Sequence, residues 1–137
     1  DLDIFVISAQ GGVPTRFTTE PSNEGRPFWS RDGKWIYFRS DRSGSGQIWR
    51  KRSDGSGEAV QITRGGEMLR TTLHPSPDGR WLLLKLERGG RSSHSLVDVG
   101  SGAVLWNKPS ATARFDTTAP RLTLQTAQGT EETQGLP

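Results

Sequence analysis

Only a few side chains in this sequence have the chemistry to bind a metal ion or to catalyse a reaction. The two histidines, His74 and His94, stand twenty residues apart on different predicted strands. A metal site would also need carboxylates that converge on them, and the spacing gives no sign of these. Asp32 and Asp78 occupy equivalent turns of a repeat, which keeps them apart. We interpret the histidines as strand residues and the aspartates as turn-capping residues, and we predict no bound metal.

Motifs that mark common enzyme classes are missing from the sequence. It contains no G-x-S-x-G nucleophile turn, no H-E-x-x-H zinc motif, no phosphate-binding P-loop and no cysteine. The Ser-Gly-Ser-Gly run at 43–46 lacks the lysine and the helix of a phosphate cradle, so we interpret it as a loop. The sequence therefore predicts a chain that is not an enzyme and needs no cofactor.

Candidate partner contacts come from one tryptophan and one loop. Three of the five tryptophans recur at repeat positions, which favours packing between sheets over ligand binding. Trp29 instead precedes a predicted hairpin on a first strand, and Asp41 and Arg42 form the next loop. We predict Trp29, Asp41 and Arg42 as contacts to a protein partner, with a local Asp–Arg turn as the alternative for the loop.

The charge balance argues against a dedicated nucleic-acid binder. Eighteen Lys and Arg against fifteen Asp and Glu give a net charge of +3, and the only tight basic cluster is 50–52. A nucleic-acid-binding domain usually concentrates more positive charge on one face. No run of 18 apolar residues could span a bilayer, and the first residues lack the basic start of a signal peptide. We expect protein partners, without nucleic acid or a membrane span.

An internal repeat organises most of the chain. The run D-G-K-W at 32–35 returns as D-G-R-W at 78–81, and the F-T pair at 17–18 returns as I-T at 62–63. Each repeat contains four short runs of β-prone residues, separated by Gly, Asp and Pro turns. No stretch of 12 residues shows a helical stripe free of Gly and Pro. The repeat therefore predicts an all-β, antiparallel fold.

The predicted strands are apolar on both faces. Side chains alternate along a strand, so Ile36 and Phe38 point one way while Trp35 and Tyr37 point the other. A sheet of an ordinary sandwich would keep one face polar. Hairpin-linked strands with two apolar faces instead indicate sheets stacked between sheets, as in the four-stranded blades of a β-propeller. A strand-rich solenoid is the alternative architecture.

These motifs resemble the repeats of TolB-type β-propellers. The resemblance rests on W-S-R-D-G-K-W-I-Y-F-R-S-D-R at 29–42, Q-I-W at 47–49 and H-P-S-P-D-G-R-W-L-L-L at 74–84. It covers about residues 1–107, and it departs from the usual pattern at Arg31, where the family has Pro. The resemblance implies antiparallel four-stranded blades whose D-G hairpin joins the first and second strands.

This repeat pattern predicts an incomplete propeller. The chain divides into a half blade at 1–25, blades at 26–69 and 70–107, and a threonine-rich tail at 108–137 that is predicted to be mostly disordered. Propellers close with roughly four to eight blades, so this chain cannot close a ring alone.

Apolar residues should lie at the open ends of such a segment. Phe5 and Ile7 at one end, and Leu96 and Val99 at the other, are predicted to be exposed. We expect self-association through these ends, or coverage of one end by the tail.

The predicted function is a non-catalytic scaffold that binds a protein partner or other domains of a longer bacterial chain. Similar repeats leave two alternatives open: the accessory propeller of a prolyl-oligopeptidase-like serine peptidase, and the sensory propeller of a transcriptional regulator or kinase. Fold alone does not decide among these, because function lies in the sites that a fold carries. The compartment is unknown, and the resemblance to TolB favours the periplasm.

Overall fold

The computed structural model describes residues 1–64 and 71–137. Within these residues every regular element is a β-strand, and every strand pair is antiparallel. The all-β fold class predicted from the sequence is confirmed. The chain divides into two compact units, residues 1–69 and 70–137. The predicted blade boundary at 69 and 70 lies outside the described residues.

Unit 1 is built from six strands, which are β1 (Phe5–Val6), β2 (Thr15–Arg16), β3 (Glu24–Trp29), β4 (Trp35–Ser40), β5 (Gln47–Arg52) and β6 (Val60–Gln61). A two-stranded sheet pairs β1 with β2, and a four-stranded sheet has the order β3-β4-β5-β6. The strands follow one another as hairpins, so neighbours in sequence are neighbours in the sheet.

The core of unit 1 joins its two sheets. Ile4 and Phe17, which flank the β1–β2 pair, pack with Ile36 and Phe38 of β4. The Phe17 and Phe38 rings meet edge to face, with their centroids 6.4 Å apart. Tyr37, between these two β4 residues, is buried as well. β4 is therefore buried on both faces, as its sequence predicts.

The repeated threonine of the F-T and I-T pairs holds a sheet together. The Thr18 hydroxyl oxygen accepts a hydrogen bond from the Ile4 backbone N–H at 2.9 Å, and Thr63 accepts one from Ile48 at the same distance. All four residues are buried. Because a buried N–H without an acceptor is costly, a hydroxyl is favoured at this repeat position.

The repeated Asp-Gly turns are built alike. In the turn after β3, Ser30 donates to Asp32 Oδ1 at 2.6 Å, and the N–H two residues after the aspartate donates to the same oxygen at 3.0 Å. Ser76 and Asp78 repeat both bonds at the same distances. The serine hydroxyl is the largest of the causes that hold the pKa of both carboxyl groups below the ordinary value. The interpretation of these aspartates as turn-capping residues is confirmed.

Unit 2 is built from seven strands, which are β7 (Thr71–Pro75), β8 (Trp81–Arg88), β9 (Arg91–Asp98), β10 (Val104–Pro109), β11 (Thr112–Phe115), β12 (Arg121–Gln125) and β13 (Glu131–Gly135). The first four form a sheet of order β10-β9-β8-β7, and the last three form a sheet of order β11-β12-β13.

The prediction of a mostly disordered tail at 108–137 is wrong. Phe115, Leu122 and Leu124 of the β11–β13 sheet pack on Trp81, Leu83 and Leu96 of the β7–β10 sheet. The few apolar residues of this segment thus fall on one face, and that face has a ready-made apolar partner. Leu96 and Val99 were expected at an open end, and both are buried.

The Gly79→Val variant should test the hairpin assignment. Gly79 has a φ of 73°, and open space surrounds the position of a Cβ atom. We expect a loss of about 1–2 kcal/mol in the free energy of unfolding, because a β-branched residue is strained in the left-handed region. The matched control is Gly135→Val, which also meets open space but lacks this backbone conformation. Equal urea midpoints for the two variants would contradict the assignment.

Candidate functional site

Trp29 lies exposed at the end of β3. Half of its side chain (51%) is accessible, and the neighbouring Phe28 is also exposed. β3 is an edge strand of its sheet, and Trp29 pairs with Ile36 on the next strand. The structure therefore leaves Trp29 accessible to a partner, and its role as a contact stays a prediction.

Asp41 is engaged with the chain itself. Its Oδ1 accepts the Asn23 backbone N–H at 2.8 Å, and its Oδ2 accepts the Asn23 side-chain amide at 3.1 Å. The bond from the Asn23 backbone is the largest cause of the lowered pKa of this carboxyl group. Asp41 thus fastens the segment before β3 to the end of β4.

Arg42 turns inward from the same loop. Its guanidinium lies 3.3 Å from Glu24 Oε1, and its Nε donates to the Ser40 hydroxyl at 3.0 Å. It also lies over two rings, 4.9 Å from the Trp49 centroid and 5.5 Å from that of Phe38. The ion pair of Arg42 is with Glu24 and not with the adjacent Asp41. The Gly44 backbone N–H donates to the Asp41 carbonyl at 2.9 Å, so Asp41 and Arg42 do lie in a local turn, the alternative that the sequence left open.

Glu24 forms the centre of a buried polar cluster that the sequence did not predict. Its Oε1 accepts hydrogen bonds from Ser22 and, at 2.6 Å, from Ser40, and it also pairs with Arg42. Ser22, Glu24 and Ser40 are all buried. No repeat or motif marks Glu24, because its partners come from two separate segments of the chain, the one before β3 and the one at the end of β4.

The three predicted contacts do not form one site. Among the described residues, no hydrogen bond, ion pair or ring contact joins Trp29 to Asp41 or Arg42. Asp41 and Arg42 share a loop, and each has its partners within unit 1.

Two exposed apolar residues of unit 1 lie on β1 and directly after it. Ile4 and Val6 point into the core of unit 1, so Phe5 and Ile7 lie on the opposite side of the strand. Phe5 is 57% exposed and Ile7 is 54% exposed. We call the exposed pair Phe5 and Ile7 the β1 surface.

The described residues bring together no cluster of metal-binding side chains. They contain no group of three or more His, Asp and Glu side chains placed to hold a metal ion. His74 and His94 lie on the strands β7 and β9, as the sequence predicts. Within the described ranges, the structure offers no apolar helix of bilayer-spanning length.

The fold defines the class of protein. Four-stranded antiparallel sheets with strands in sequential order and Asp-Gly hairpins are the blades of a β-propeller. The described residues contain two such sheets, fewer than the roughly four to eight blades of a complete propeller. The model of the TolB beta propeller domain family matches residues 1–122. The chain belongs to that family.

Two bacterial relatives match just over half of the chain. The chain is 42% identical to the uncharacterized protein Atu1656 of Agrobacterium fabrum over 79 residues, which are 57% of this chain and 26% of the relative. It is 35% identical to the Tol-Pal system protein TolB of Geobacter sulfurreducens over 80 residues, which are 58% of this chain and 17% of that protein. The match thus spans about a quarter or less of each relative.

Solved structures share the fold. A candidate TolB from Agrobacterium tumefaciens has a TM-score of 0.61 and 32% identity, over 77% of this chain and 41% of the other. TolB from Acinetobacter baumannii has a TM-score of 0.66 and 21% identity, over 97% and 35% of the two chains. The acylaminoacyl peptidase of Pyrococcus horikoshii has a TM-score of 0.57 and 16% identity, over 88% of this chain and 26% of the peptidase. The last two likenesses show the fold alone.

Proposed function

We propose that this chain is a non-catalytic, protein-binding segment of a β-propeller within a larger bacterial protein. The supporting observation is the β1 surface, where exposed apolar side chains lie beside a strand edge that pairs with no other strand among residues 1–64 and 71–137. The greater length of its relatives also supports a larger whole. Exposed apolar residues beside a strand edge are typical of an interface.

The backbone of β1 supports the same proposal. The Ile4 carbonyl accepts the Phe17 N–H at 2.8 Å, so the polar backbone groups of Ile4 face β2. These groups alternate in direction along an antiparallel strand, which turns those of Phe5 towards the free edge. An edge of this kind is a template for pairing with another strand.

The occupant that we propose for this edge is a strand of the same β-prone character. In a longer protein this strand would come from the chain outside these 137 residues. It would add a third strand to the two-stranded sheet, whereas the other sheet of unit 1 already has four. In the isolated chain the available strand is β1 of a second copy. Two copies related by a two-fold axis would place the same apolar residues opposite each other.

Sedimentation of the isolated chain tests this proposal. At micromolar concentration we expect its mass to rise above the 15.1 kDa of a monomer and to approach twice that value. The double variant Phe5→Lys, Ile7→Lys should remain monomeric, because charges on an edge strand oppose pairing.

The matched control for that experiment is Val104→Lys. Val104 is as exposed as Phe5 but lies on β10 in unit 2, so this variant should associate like the wild type. A wild-type chain that stays monomeric across the concentration range would contradict the proposed use of the β1 surface.

A second candidate function is the accessory propeller of a serine peptidase. The observation that favours it is the fold shared with the acylaminoacyl peptidase of Pyrococcus horikoshii. In that case the catalytic residues would lie in another part of a longer chain. A G-x-S-x-G motif in the complete reading frame would favour this candidate over a scaffold.

A further inference from the structure

A buried histidine lies where the two sheets of unit 2 meet. His94 of β9 is 2% exposed, and its Nδ1 lies 2.7 Å from the hydroxyl of Ser110 in the connection between β10 and β11. Ser110 donates its own proton to the Lys108 carbonyl at 3.0 Å. The hydroxyl has one proton, so His94 must be the donor in its bond to Ser110. The neutral ring therefore carries its proton on Nδ1.

Two lysines and a second histidine flank His94 on the neighbouring strands. Lys85 of β8 and Lys108 of β10 are its direct cross-strand partners, and His74 of β7 also acts on it. The Lys108 ammonium reaches across to Glu132 of β13 at 2.7 Å, and Lys85 lies 3.5 Å from Glu87.

The carboxylates of Glu87 and Glu132 already pair with Lys85 and Lys108, and both glutamate side chains are more than half exposed. A proton on His94 would therefore add a buried positive charge without a carboxylate partner of its own, which is costly.

Burial lowers the pKa of His94 from the ordinary 6.5 to about 4, and Lys85 and His74 contribute in the same direction. The ring is therefore neutral at pH 7 while the sheets are packed. Once the ring meets water its pKa returns towards the ordinary value, so the opened form binds a proton more readily. The packed form is fully stable above pH 6.5 and loses stability as the pH falls towards 4.

The β11–β13 sheet covers an apolar surface. Its inner face contacts Trp81, Leu83 and Leu96 of the β7–β10 sheet. The outer face is polar, because Arg114 and Thr123 alternate with the inward Phe115 and Leu122. Separation of the sheets would therefore uncover apolar residues that the closed form hides.

We propose that acidification releases the β11–β13 sheet from the β7–β10 sheet and uncovers Trp81, Leu83 and Leu96. The trigger is the protonation of His94 against Lys85, Lys108 and His74. The chain thus carries an acid-sensitive cover within unit 2, independent of the β1 surface.

Hydrogen exchange of the complete chain at pH 7 and pH 5 tests this proposal. After correction for intrinsic rates, the opening of β12 amides such as Leu122 should increase about 20-fold from pH 7 to pH 5, as expected for a pKa of 6.5 when open and about 4 when closed. The amides of β8, such as Leu83, should keep their protection. Unchanged opening of β12, or equal loss of protection in β8, would overturn the proposal.

Two variants assign the effect to one residue. His94→Gln keeps a neutral polar side chain and should remove the response to pH, whereas His74→Gln should retain most of it. A His94→Gln chain with the full wild-type response would overturn the role of His94.

A proton NMR titration of the wild-type chain provides a test that needs no variant. A His94 midpoint well below that of an exposed histidine supports the proposal, and a midpoint near 6.5 overturns it.

Discussion

The Leu122→Ala variant is expected to lower the free energy of unfolding of unit 2 by about 2–5 kcal/mol, the usual range for a leucine deleted from a packed core. Leu122 is fully buried on β12 and packs in the cluster that joins the two sheets of unit 2. Loss of its side chain leaves a cavity between the sheets. Urea denaturation followed by the fluorescence of Trp81 and Trp106, which belong to the same cluster, would measure the loss.

The control for this prediction is the adjacent residue of the same strand. Thr123 faces away from the cluster, so Thr123→Ala should change the free energy of unfolding by less than about 0.5 kcal/mol. If Leu122→Ala were as stable as Thr123→Ala, the β11–β13 sheet would not form part of the packed structure.

The Arg42→Ala variant is expected to lower the free energy of unfolding of unit 1 by about 3–5 kcal/mol, the range for breaking a buried ion pair from one side. It leaves the buried Glu24 carboxylate without its cation. It also removes the guanidinium from the rings of Phe38 and Trp49. Thermal and urea unfolding of the variant would measure this loss.

A double variant separates the contribution of the Arg42–Glu24 ion pair to stability from that of the packing of the Arg42 side chain. Adding Glu24→Gln to Arg42→Ala should restore part of the lost stability, because the unpaired charge is then gone. Arg114→Ala, which removes an exposed arginine, is the matched control and should be nearly neutral. An Arg42→Ala chain of unchanged stability would favour the alternative that Arg42 serves a partner.

The fold could be predicted because its signals are local and repeated. The serine and aspartate of each Asp-Gly turn bond within a few residues, as at Ser30 and Asp32, so their spacing alone identifies a hairpin. The paired threonines Thr18 and Thr63 likewise mark the end of each repeat. Two apolar faces on one strand then indicated stacked sheets.

The remaining features depend on contacts that sequence spacing does not encode. The segment 108–137 has few apolar residues, and its strands are stabilised because Leu122 and Leu124 meet a surface formed elsewhere in the chain. The Glu24 cluster likewise joins positions from separate elements. Phe5 and Ile7 were predicted to be exposed and are, because that prediction needed only the repeat pattern.

The most direct test of the proposed function compares the amide exchange of β1 in this chain with that in the longer protein that contains it. The account predicts that the Phe5 amide, at the free edge of β1, exchanges rapidly in a monomeric isolated chain and is strongly protected in the longer protein. The Ile4 amide, bonded to Thr18, serves as the internal reference for a protected site in both. A Phe5 amide that exchanges equally fast in the two proteins would contradict the claim that this edge is a docking site.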